Sequence, residues 1–352
     1  MKILSDFSGG NIKLLSVDGN TVNVEQDLKG TAGWWFYWCF RVDNPPADEI
    51  IFKFHNKNVV CPNGPATSAD GINWIWHKDG FIDHTSFRYT FKEGEKSRYF
   101  CFTIPYTLEN FNRFFKTIKN VNRLCLTKSE GGLDIPLITY GDGEKDIFIT
   151  ARHHCCESPA SFVLEGIINA SLKNSYLSDN FRFHILPFAD IDGVQKGEQG
   201  KDRAPHDHNR DYTDAPIYVF TRALKEYALS KRPVFYIDLH SPWKWGGDDD
   251  LPHIFLSAET PPHPDMQYDF AETLKELSKN NTVRFLGRTN PHTPEKCLSA
   301  KYFFKNDCKA SLSITIETPY SGKDGYTVND FREWGETIAD TLRVISENYE
   351  LV

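Results

Sequence analysis

The feature that most constrains the fold of this chain is an alternation of two kinds of segment after residue 145. Short apolar runs typical of buried strands alternate with longer segments whose apolar residues recur at helical spacing. The strand-like runs cover residues 146–151, 181–188, 233–239 and 311–317. The helix-like segments cover residues 158–173, 213–230, 265–279 and 329–347. This alternation predicts an α/β domain built on a largely parallel sheet.

The chain before residue 107 follows a different pattern. Short β-type runs rich in aromatic residues are separated by turn residues and show no helical spacing. The clearest of these runs cover residues 34–42, 50–54, 87–91 and 98–104. They predict an N-terminal antiparallel β-sandwich. A helix-like segment at 108–119 follows, and we therefore expect a sandwich domain over residues 1–115 and a second domain over residues 116–352.

The charge and composition of the chain limit its partners. The 352 residues include 48 acidic and 40 basic side chains, for a formal net charge of −8. No basic tract with interleaved aromatic residues is present, so we expect no nucleic-acid partner. No apolar run has the length of a membrane-spanning helix or, at the N-terminus, of a signal peptide. We expect a cytoplasmic protein without a membrane partner, whose 8 cysteines are free thiols.

Polar side chains follow each strand-like run at the point where it ends. In α/β folds, ligands collect at the carboxyl ends of the strands and in the loops that come after them. The residues at these positions, in chain order, are His154, Glu157, Asn209, Arg210, His240 and Glu317. We expect them to meet at one edge of the sheet.

The residue types in this set suit a catalytic zinc site. Zinc favours imidazole nitrogens and carboxylate oxygens, and a catalytic site uses three protein ligands plus a water molecule. His154 and Glu157, as a His-x-x-Glu pair, and the distant His240 supply such ligands for one Zn²⁺ ion. Glu317 is the natural candidate for the carboxylate that takes the proton of the water.

None of these signals is specific when taken alone. With 12 histidines and 48 acidic residues, chance gives about one to two acidic residues three places after a histidine. An Asn-Arg pair is usually a helix cap and a surface charge. The combination, at successive strand ends in one order, carries the prediction. Asp207 and Asp238 are candidates to accept the outward N–H groups of the ligand histidines.

The ordered set resembles the zinc carboxypeptidases of the carboxypeptidase A superfamily, in particular the cytosolic carboxypeptidase-like branch. The matching stretches are residues 151–159, 192–194, 207–211, 238–240 and 315–317. The resemblance covers the chain from about residue 123 to residue 352, and a β-sandwich ahead of the peptidase domain is similar to that branch too. It implies an α/β peptidase domain with a mixed sheet between helices, one zinc ion, and removal of the C-terminal residue of a peptide or protein.

The resemblance also implies a role for each matching residue. The three ligand candidates would bind zinc, and Glu317 would activate the water molecule. Asn209 and Arg210 match the pair that grips the terminal carboxylate of the substrate, and a guanidinium fork fits a carboxylate well. Asp207 matches the position that orients a ligand histidine.

Two positions depart from the pattern of the family. His153 stands beside His154 and is an alternative ligand, although the spacing to the glutamate favours His154. Gly200 stands where the family has an arginine that stabilises the oxyanion. Lys201 and Arg203 are its neighbours, and we favour Arg203 first and Lys201 second as the replacement. The alternative is that both are loop charges in water.

The leaving-group tyrosine and the specificity pocket have no secure match. Many relatives place a tyrosine near the leaving group, and here Tyr302 and Tyr320 are the possibilities. The pocket floor of relatives lies just ahead of the catalytic glutamate, here at residues 301–307. The basic Lys301 there would favour an acidic side chain on the released residue.

Two other functions stay open. A deacylase of N-acyl amino acids, related to succinylglutamate desuccinylase and aspartoacylase, would share the His-x-x-Glu pair and the later histidine but lacks a leading β-sandwich. A binding protein with an inactive metal site would use the aromatic residues of the sandwich as a stacking platform. Its candidates are Trp34, Trp35, Trp38, Trp74 and Trp76, for which packing in a core is the favoured interpretation.

Overall fold

A computed structural model describes residues 1–352 except residues 34, 56–57, 232, 243–250, 256–265, 280–283, 287–297, 350 and 352. The strands are β1 (Lys2–Leu4), β2 (Lys13–Asp18), β3 (Thr21–Glu25), β4 (Cys39–Asp43), β5 (Glu49–Phe54), β6 (Ala66–Ser68), β7 (Ile75–Trp76), β8 (Phe81–Asp83), β9 (Ser86–Thr90), β10 (Ser97–Cys101), β11 (Asn122–Lys128), β12 (Asp134–Tyr140), β13 (Lys145–Ala151), β14 (Phe181–Leu186), β15 (Pro233–His240), β16 (His253–Phe255), β17 (Arg284–Leu286) and β18 (Leu312–Glu317). The α-helices are α1 (Leu108–Phe115), α2 (Pro159–Lys173), α3 (Ser175–Asn180), α4 (Ile191–Lys196), α5 (Val219–Leu229), α6 (Met266–Leu277), α7 (Ala300–Asn306) and α8 (Val328–Asn348).

The N-terminal strands form two five-stranded sheets whose orders are β1-β4-β10-β6-β7 and β2-β3-β5-β9-β8. In β5, Ile50, Phe52 and Phe54 are buried and the residues between them are more exposed, as expected of a strand with one face on a core. Rings of the two sheets meet in that core, where Phe40 and Phe52 have centroids 5.3 Å apart. The predicted β-sandwich is therefore confirmed.

One pair in the sandwich departs from the predicted antiparallel arrangement. β3 runs parallel to β5, while the other strand pairs found in these sheets are antiparallel. β4, which lies between β3 and β5 in the chain, belongs to the opposite sheet. The chain therefore crosses over and returns, so that β5 enters beside β3 in the same direction.

The strands after residue 121 form one mixed eight-stranded sheet in the order β11-β12-β14-β13-β15-β18-β16-β17. β14, β13, β15 and β18 are neighbours and run parallel. β12 is antiparallel to β14 at one side, and β16 is antiparallel to β18 at the other. All but the first residue of β13 is buried, as in a parallel sheet covered on both faces. The predicted α/β fold with a mixed sheet between helices is confirmed.

The helices on the sheet start close to their predicted positions, with one exception. Residues 213–230 were predicted as a single helix, but α5 begins only at Val219. The carboxylate of Asp211 accepts hydrogen bonds from the backbone N–H groups of Ile217 and Tyr218, at 2.8 and 3.0 Å. Those bonds hold the preceding residues in a loop, because they satisfy the same N–H groups that a helix would use.

Two further expectations can be compared with the structure for the described residues only. In the described part of the chain, no helix is both long and apolar enough to cross a membrane. Seven of the 8 cysteines are described, and all of them are present as thiols. The division into domains at residues 1–115 and 116–352 stays a prediction.

Candidate metal centre

The parallel register of the central strands brings four predicted residues to one edge of the sheet. β13, β15 and β18 are adjacent and parallel, so their carboxyl ends lie side by side. His240 and Glu317 end their strands as direct register partners. His154 and Glu157 follow β13 in a tight turn, in which the Glu157 N–H donates to the His154 carbonyl at 3.1 Å.

A buried arginine stabilises this turn through hydrogen bonds. Arg152 has a positive φ of 65°, which is uncommon for a residue with a side chain, and is 3% exposed. Its guanidinium donates to the carbonyl oxygens of Cys155 and Tyr106 and to Ser161 Oγ. Arg152 thus ties the ligand turn to α2. Sequence reasoning missed this role, although a charged residue directly after a buried strand was the available signal.

The three predicted ligands converge on one point. His154 Nδ1 lies 2.9 Å from Glu157 Oε1, and His240 Nδ1 lies 2.8 Å from Glu157 Oε2. One ligand atom from each residue lies within 4.8 Å of the other two. Glu157 and His240 are buried and His154 is half-buried, so the cluster is reached from the side of His154. The donor set could hold one metal ion.

The outer nitrogens of both histidines face carboxylates. His154 Nε2 lies 3.7 Å from Asp207 Oδ2, and His240 Nε2 lies 2.9 Å from Asp238 Oδ2. Each imidazole therefore lies between two carboxylates, with Nδ1 towards Glu157. A metal ion bound between Nδ1 and Glu157 would leave the outer N–H directed at Asp207 or Asp238, as is usual for ligand histidines. Burial opposes protonation of His240, but the carboxylates of Asp238 and Glu157 outweigh it and raise the pKa of His240 well above its usual value.

Glu317 has the properties of a group that exchanges a proton. Burial raises the pKa of its carboxyl, the neighbouring charge of Glu157 raises it further, and His240 and Lys201 oppose that rise. Among the described residues, none donates a hydrogen bond to the buried Oε2 atom of Glu317. A raised pKa and an unpartnered oxygen suit a general base that works near neutral pH.

Of the two basic residues considered for the oxyanion, the structure brings Lys201 to the cluster. Lys201 Nζ lies 2.7 Å from Glu157 Oε1 and 3.3 Å from the carbonyl oxygen of Ser241, and Lys201 is 6% exposed. Arg203 instead pairs with Asp190 at 3.1 Å and with Glu198 at 2.5 Å. The order of preference drawn from the sequence, with Arg203 first, is therefore not favoured by this geometry, because the Arg203 guanidinium is held by two other carboxylates.

Asn209 and Arg210 lie on a short 3-10 turn over residues 208–210, capped by Asp207. Asn209 Nδ2 is 3.2 Å from His240 Nε2, so the structure brings Asn209 to the cluster. Arg210 is exposed, and its guanidinium donates to the Asn209 carbonyl at 3.1 Å. Arg210 and Asp207 line a surface cleft of about 640 Å³, and Asp207 Oδ2 lies 3.7 Å from His154 Nε2.

The other candidates take different positions. His153 belongs to a second cluster with Asp238 and His240. Tyr320 is 1% exposed and packs against Phe102, with ring centroids 5.1 Å apart, in the core of the sandwich. Tyr302 lies on α7, where the Lys301 ammonium is 5.5 Å from the centroid of its ring.

The tryptophans proposed as a stacking platform are mostly packed inside the protein. Trp35 and Trp38 are buried, and Trp74 and Trp76 are partly buried against the core. Trp34 lies outside the described residues. Core packing, the favoured interpretation of these side chains, agrees with their burial.

Known proteins resemble this chain in sequence. No protein-family model matches it. It is 25% identical over 338 residues to an uncharacterised protein of Zymomonas mobilis, a match that covers 90% of this chain and 83% of the relative. It is 29% identical over 291 residues to cytosolic carboxypeptidase 3 of Bos taurus, a match that covers 66% of this chain but only 28% of that longer protein.

Solved structures resemble it in fold. The crystal structure of a metallo-carboxypeptidase from Burkholderia cenocepacia superposes with a TM-score of 0.83 over 99% of both chains, at 19% sequence identity. At that identity the likeness shows the fold, which here includes the N-terminal strands as well as the mixed sheet. The chain is thus similar in sequence to cytosolic carboxypeptidases and similar in fold to metallo-carboxypeptidases.

Proposed function

We propose that this protein is a zinc-dependent carboxypeptidase that removes the C-terminal residue of a peptide or protein. The observation that carries the proposal is the orientation of two histidines about one carboxylate. His154 and His240 both direct Nδ1 to Glu157 and Nε2 to a further carboxylate. Histidines that bind zinc are usually held in this way by a carboxylate or carbonyl on the far nitrogen.

The donor set suits zinc among the common metal ions. It consists of two imidazoles and one carboxylate, which is a catalytic zinc set, whereas magnesium and calcium prefer oxygen ligands alone. Zinc held by His154, Glu157 and His240 would polarise the scissile carbonyl and lower the pKa of a water molecule. The unpartnered oxygen of Glu317 supports this site, since it is free to accept the proton of that water.

Other residues of this chain then transfer the proton, stabilise the oxyanion and bind the substrate. Glu317 takes the proton of the attacking water and delivers it to the leaving nitrogen. Lys201 donates to the oxygen of the scissile carbonyl as negative charge develops there. Arg210, with Asn209 beside it, binds the terminal carboxylate of the substrate through its exposed guanidinium.

The names of the relatives support the substrate class and the location in this proposal. Carboxypeptidases act at the C-terminal residue, and several relatives are named cytosolic carboxypeptidases. We therefore include peptide or protein C-termini as substrates and the cytoplasm as the location.

Metal content and residue release, measured on the same preparation, test the proposal. The purified protein is expected to hold one zinc ion and to release C-terminal residues from short peptides. Glu317→Gln should keep the zinc and lower turnover by about 10²–10⁴-fold, since it removes the proton acceptor and leaves the ligands. His154→Ala should lose both zinc and turnover.

A matched variant controls for the loss of a buried carboxylate. Glu165 is a buried glutamate outside the cluster that accepts from Tyr106 and pairs with Arg332. Glu165→Gln should keep both zinc and turnover. Full turnover in Glu317→Gln would contradict the proposed base. Cleavage of N-acyl amino acids without release from peptides would replace the proposal by the deacylase function.

A further inference from the structure

His153 lies next to a proposed ligand in the chain but has no part in the mechanism above. We propose that His153 is a positioning residue: together with Tyr212 it holds the buried carboxylate of Asp238, which in turn fixes the orientation of His240. The inference rests on the proposed zinc site and adds to it a group that never touches the metal or the substrate.

Two hydrogen bonds and one ion-pair contact lead from Tyr212 to the cluster. The Tyr212 hydroxyl lies 2.8 Å from His153 Nε2, and His153 Nδ1 lies 2.8 Å from Asp238 Oδ1. The other oxygen of that carboxylate, Oδ2, lies 2.9 Å from His240 Nε2. His240 Nδ1 then faces Glu157 Oε2 at 2.8 Å.

The direction of each hydrogen bond follows from the chemistry of its partners. A carboxylate only accepts, so His153 Nδ1 carries the proton and donates to Asp238. In the neutral ring, Nε2 of His153 then accepts from the Tyr212 hydroxyl. His240 lies between two carboxylates, with Asp238 at Nε2 and Glu157 at Nδ1, so the position of Asp238 sets the direction in which Nδ1 points. His153 thus holds the carboxylate that orients His240.

His153 and one hydroxyl hold Oδ1 of Asp238. His153 and Asp238 are fully buried, so water does not replace a missing donor. Among the described residues, the side chains that donate to Asp238 Oδ1 are His153 and Thr150, the latter at 2.8 Å. The His153 ring also stacks on the His240 ring, with centroids 5.8 Å apart and planes 11° apart. Loss of His153 therefore removes both a donor and a packing surface beside His240.

A second buried histidine in the same sheet, with a tyrosine and an aspartate as partners, serves as a control. His184 is likewise buried between a tyrosine and an aspartate: its Nδ1 lies 2.8 Å from the Tyr227 hydroxyl and its Nε2 lies 2.7 Å from Asp146 Oδ1. Asp146 lies at the opposite end of β13 from the ligand turn. A change at His184 therefore removes the same kind of buried hydrogen bonds without reaching the cluster.

The test is the zinc dissociation constant of the full-length protein, measured by chelator competition, with the visible spectrum of the cobalt-substituted protein as a second readout. Partners that orient a ligand typically change metal affinity by about 10–100-fold when removed. His153→Leu should weaken zinc binding to that extent and change the cobalt spectrum. His153→Asn, whose amide can still donate to Asp238, should stay within about three-fold of the unaltered protein. His184→Leu should leave both readouts unchanged.

The outcomes separate this inference from the proposed function. If the unaltered protein binds zinc tightly and His153→Leu binds it equally well, the inference is overturned and the proposed function stands. An equal weakening in His184→Leu would also overturn it, because the effect would then be one of general stability. If His153→Leu does not fold, His153→Gln replaces it: its amide reaches Tyr212 but not Asp238, so it should bind zinc more weakly than His153→Asn, and equal affinities would overturn the inference. An unaltered protein that binds no zinc would refute the proposed function itself.

Discussion

The ammonium group of Lys201 lies among the residues of the proposed metal centre. It contacts Glu157 Oε1 at 2.7 Å and stands 4.9 Å above the ring of Trp35. Burial lowers the pKa of Lys201, but the charges of Glu157 and other nearby acidic groups outweigh that effect and raise it, so the side chain stays a cation. A buried cation at this place can stabilise negative charge that develops on a substrate carbonyl.

Substitutions at Lys201 and Arg203 separate these two residues. Lys201→Met should lower kcat/KM by about 10²–10³-fold with the zinc content unchanged, because one donor to the oxyanion is lost. Arg203→Met should leave kcat/KM within a few-fold and lower the unfolding temperature instead, since Arg203 pairs with Asp190 and Glu198. The measurement is steady-state release of a C-terminal residue together with thermal unfolding. The reverse pattern would return the role to Arg203.

Among the elements, α2 follows the ligand turn directly and packs closely on α8. α2 begins at Pro159, two residues after Glu157, and most of its length is buried. The two helices approach closely at paired glycines. A Cβ atom on Gly335 would lie 2.0 Å from the Val163 carbonyl oxygen, and one on Gly166 would lie 2.0 Å from the Arg332 carbonyl oxygen. Neither backbone can move aside without shifting a helix.

Gly335→Ala should therefore destabilise the protein, by about 1–3 kcal/mol of unfolding free energy, since overpacking at the helix contact outweighs the gain in helix propensity. Urea denaturation measures this change. Glu336→Ala, at the neighbouring exposed position of α8, should stay within about 0.5 kcal/mol. A Gly335→Ala protein as stable as the original would show that the two helices separate at little cost.

The elements also show how far the sequence predicts the structure. The strand ends of β13, β15 and β18 could be predicted because buried runs and the polar residues after them are local patterns. The parallel pairing of β3 with β5 could not, because it depends on β4 leaving for the other sheet. The choice between Lys201 and Arg203 could not either, because both are basic loop residues and only the contacts with Glu157, Asp190 and Glu198 distinguish them.

At the scale of the whole molecule, residues 32–37 of the N-terminal part pack against the loop that carries Lys201, beside the proposed metal centre. The Trp35 indole N–H donates to Asp202 Oδ2 at 3.0 Å, and the Ala32 N–H donates to the Asp202 carbonyl at 2.8 Å. Tyr37 and Gln199 exchange two hydrogen bonds of 2.8 Å. These contacts hold the loop that carries Lys201 against the sandwich. The sandwich therefore helps to position Lys201 beside the proposed metal centre.

Trp35→Leu tests this connection. It removes a cation–π contact with Lys201, worth about 0.5–2 kcal/mol, so kcat/KM should fall by about 2- to 30-fold while the zinc content stays the same. The control is Trp76→Leu, because the Trp76 indole also joins the two parts of the chain, through a 2.9 Å hydrogen bond to the Tyr326 carbonyl. That variant should lose stability without a specific loss of kcat/KM. Equal kinetic effects in both variants would contradict a direct role of Trp35.

Anomalous diffraction at the zinc absorption edge, on crystals of the protein loaded with one equivalent of zinc, tests the central claim most directly. We predict a single anomalous peak within about 2.0–2.2 Å of His154 Nδ1, His240 Nδ1 and a carboxylate oxygen of Glu157. A peak bound through His153, or a peak with no contact to both His154 and His240, would contradict the account.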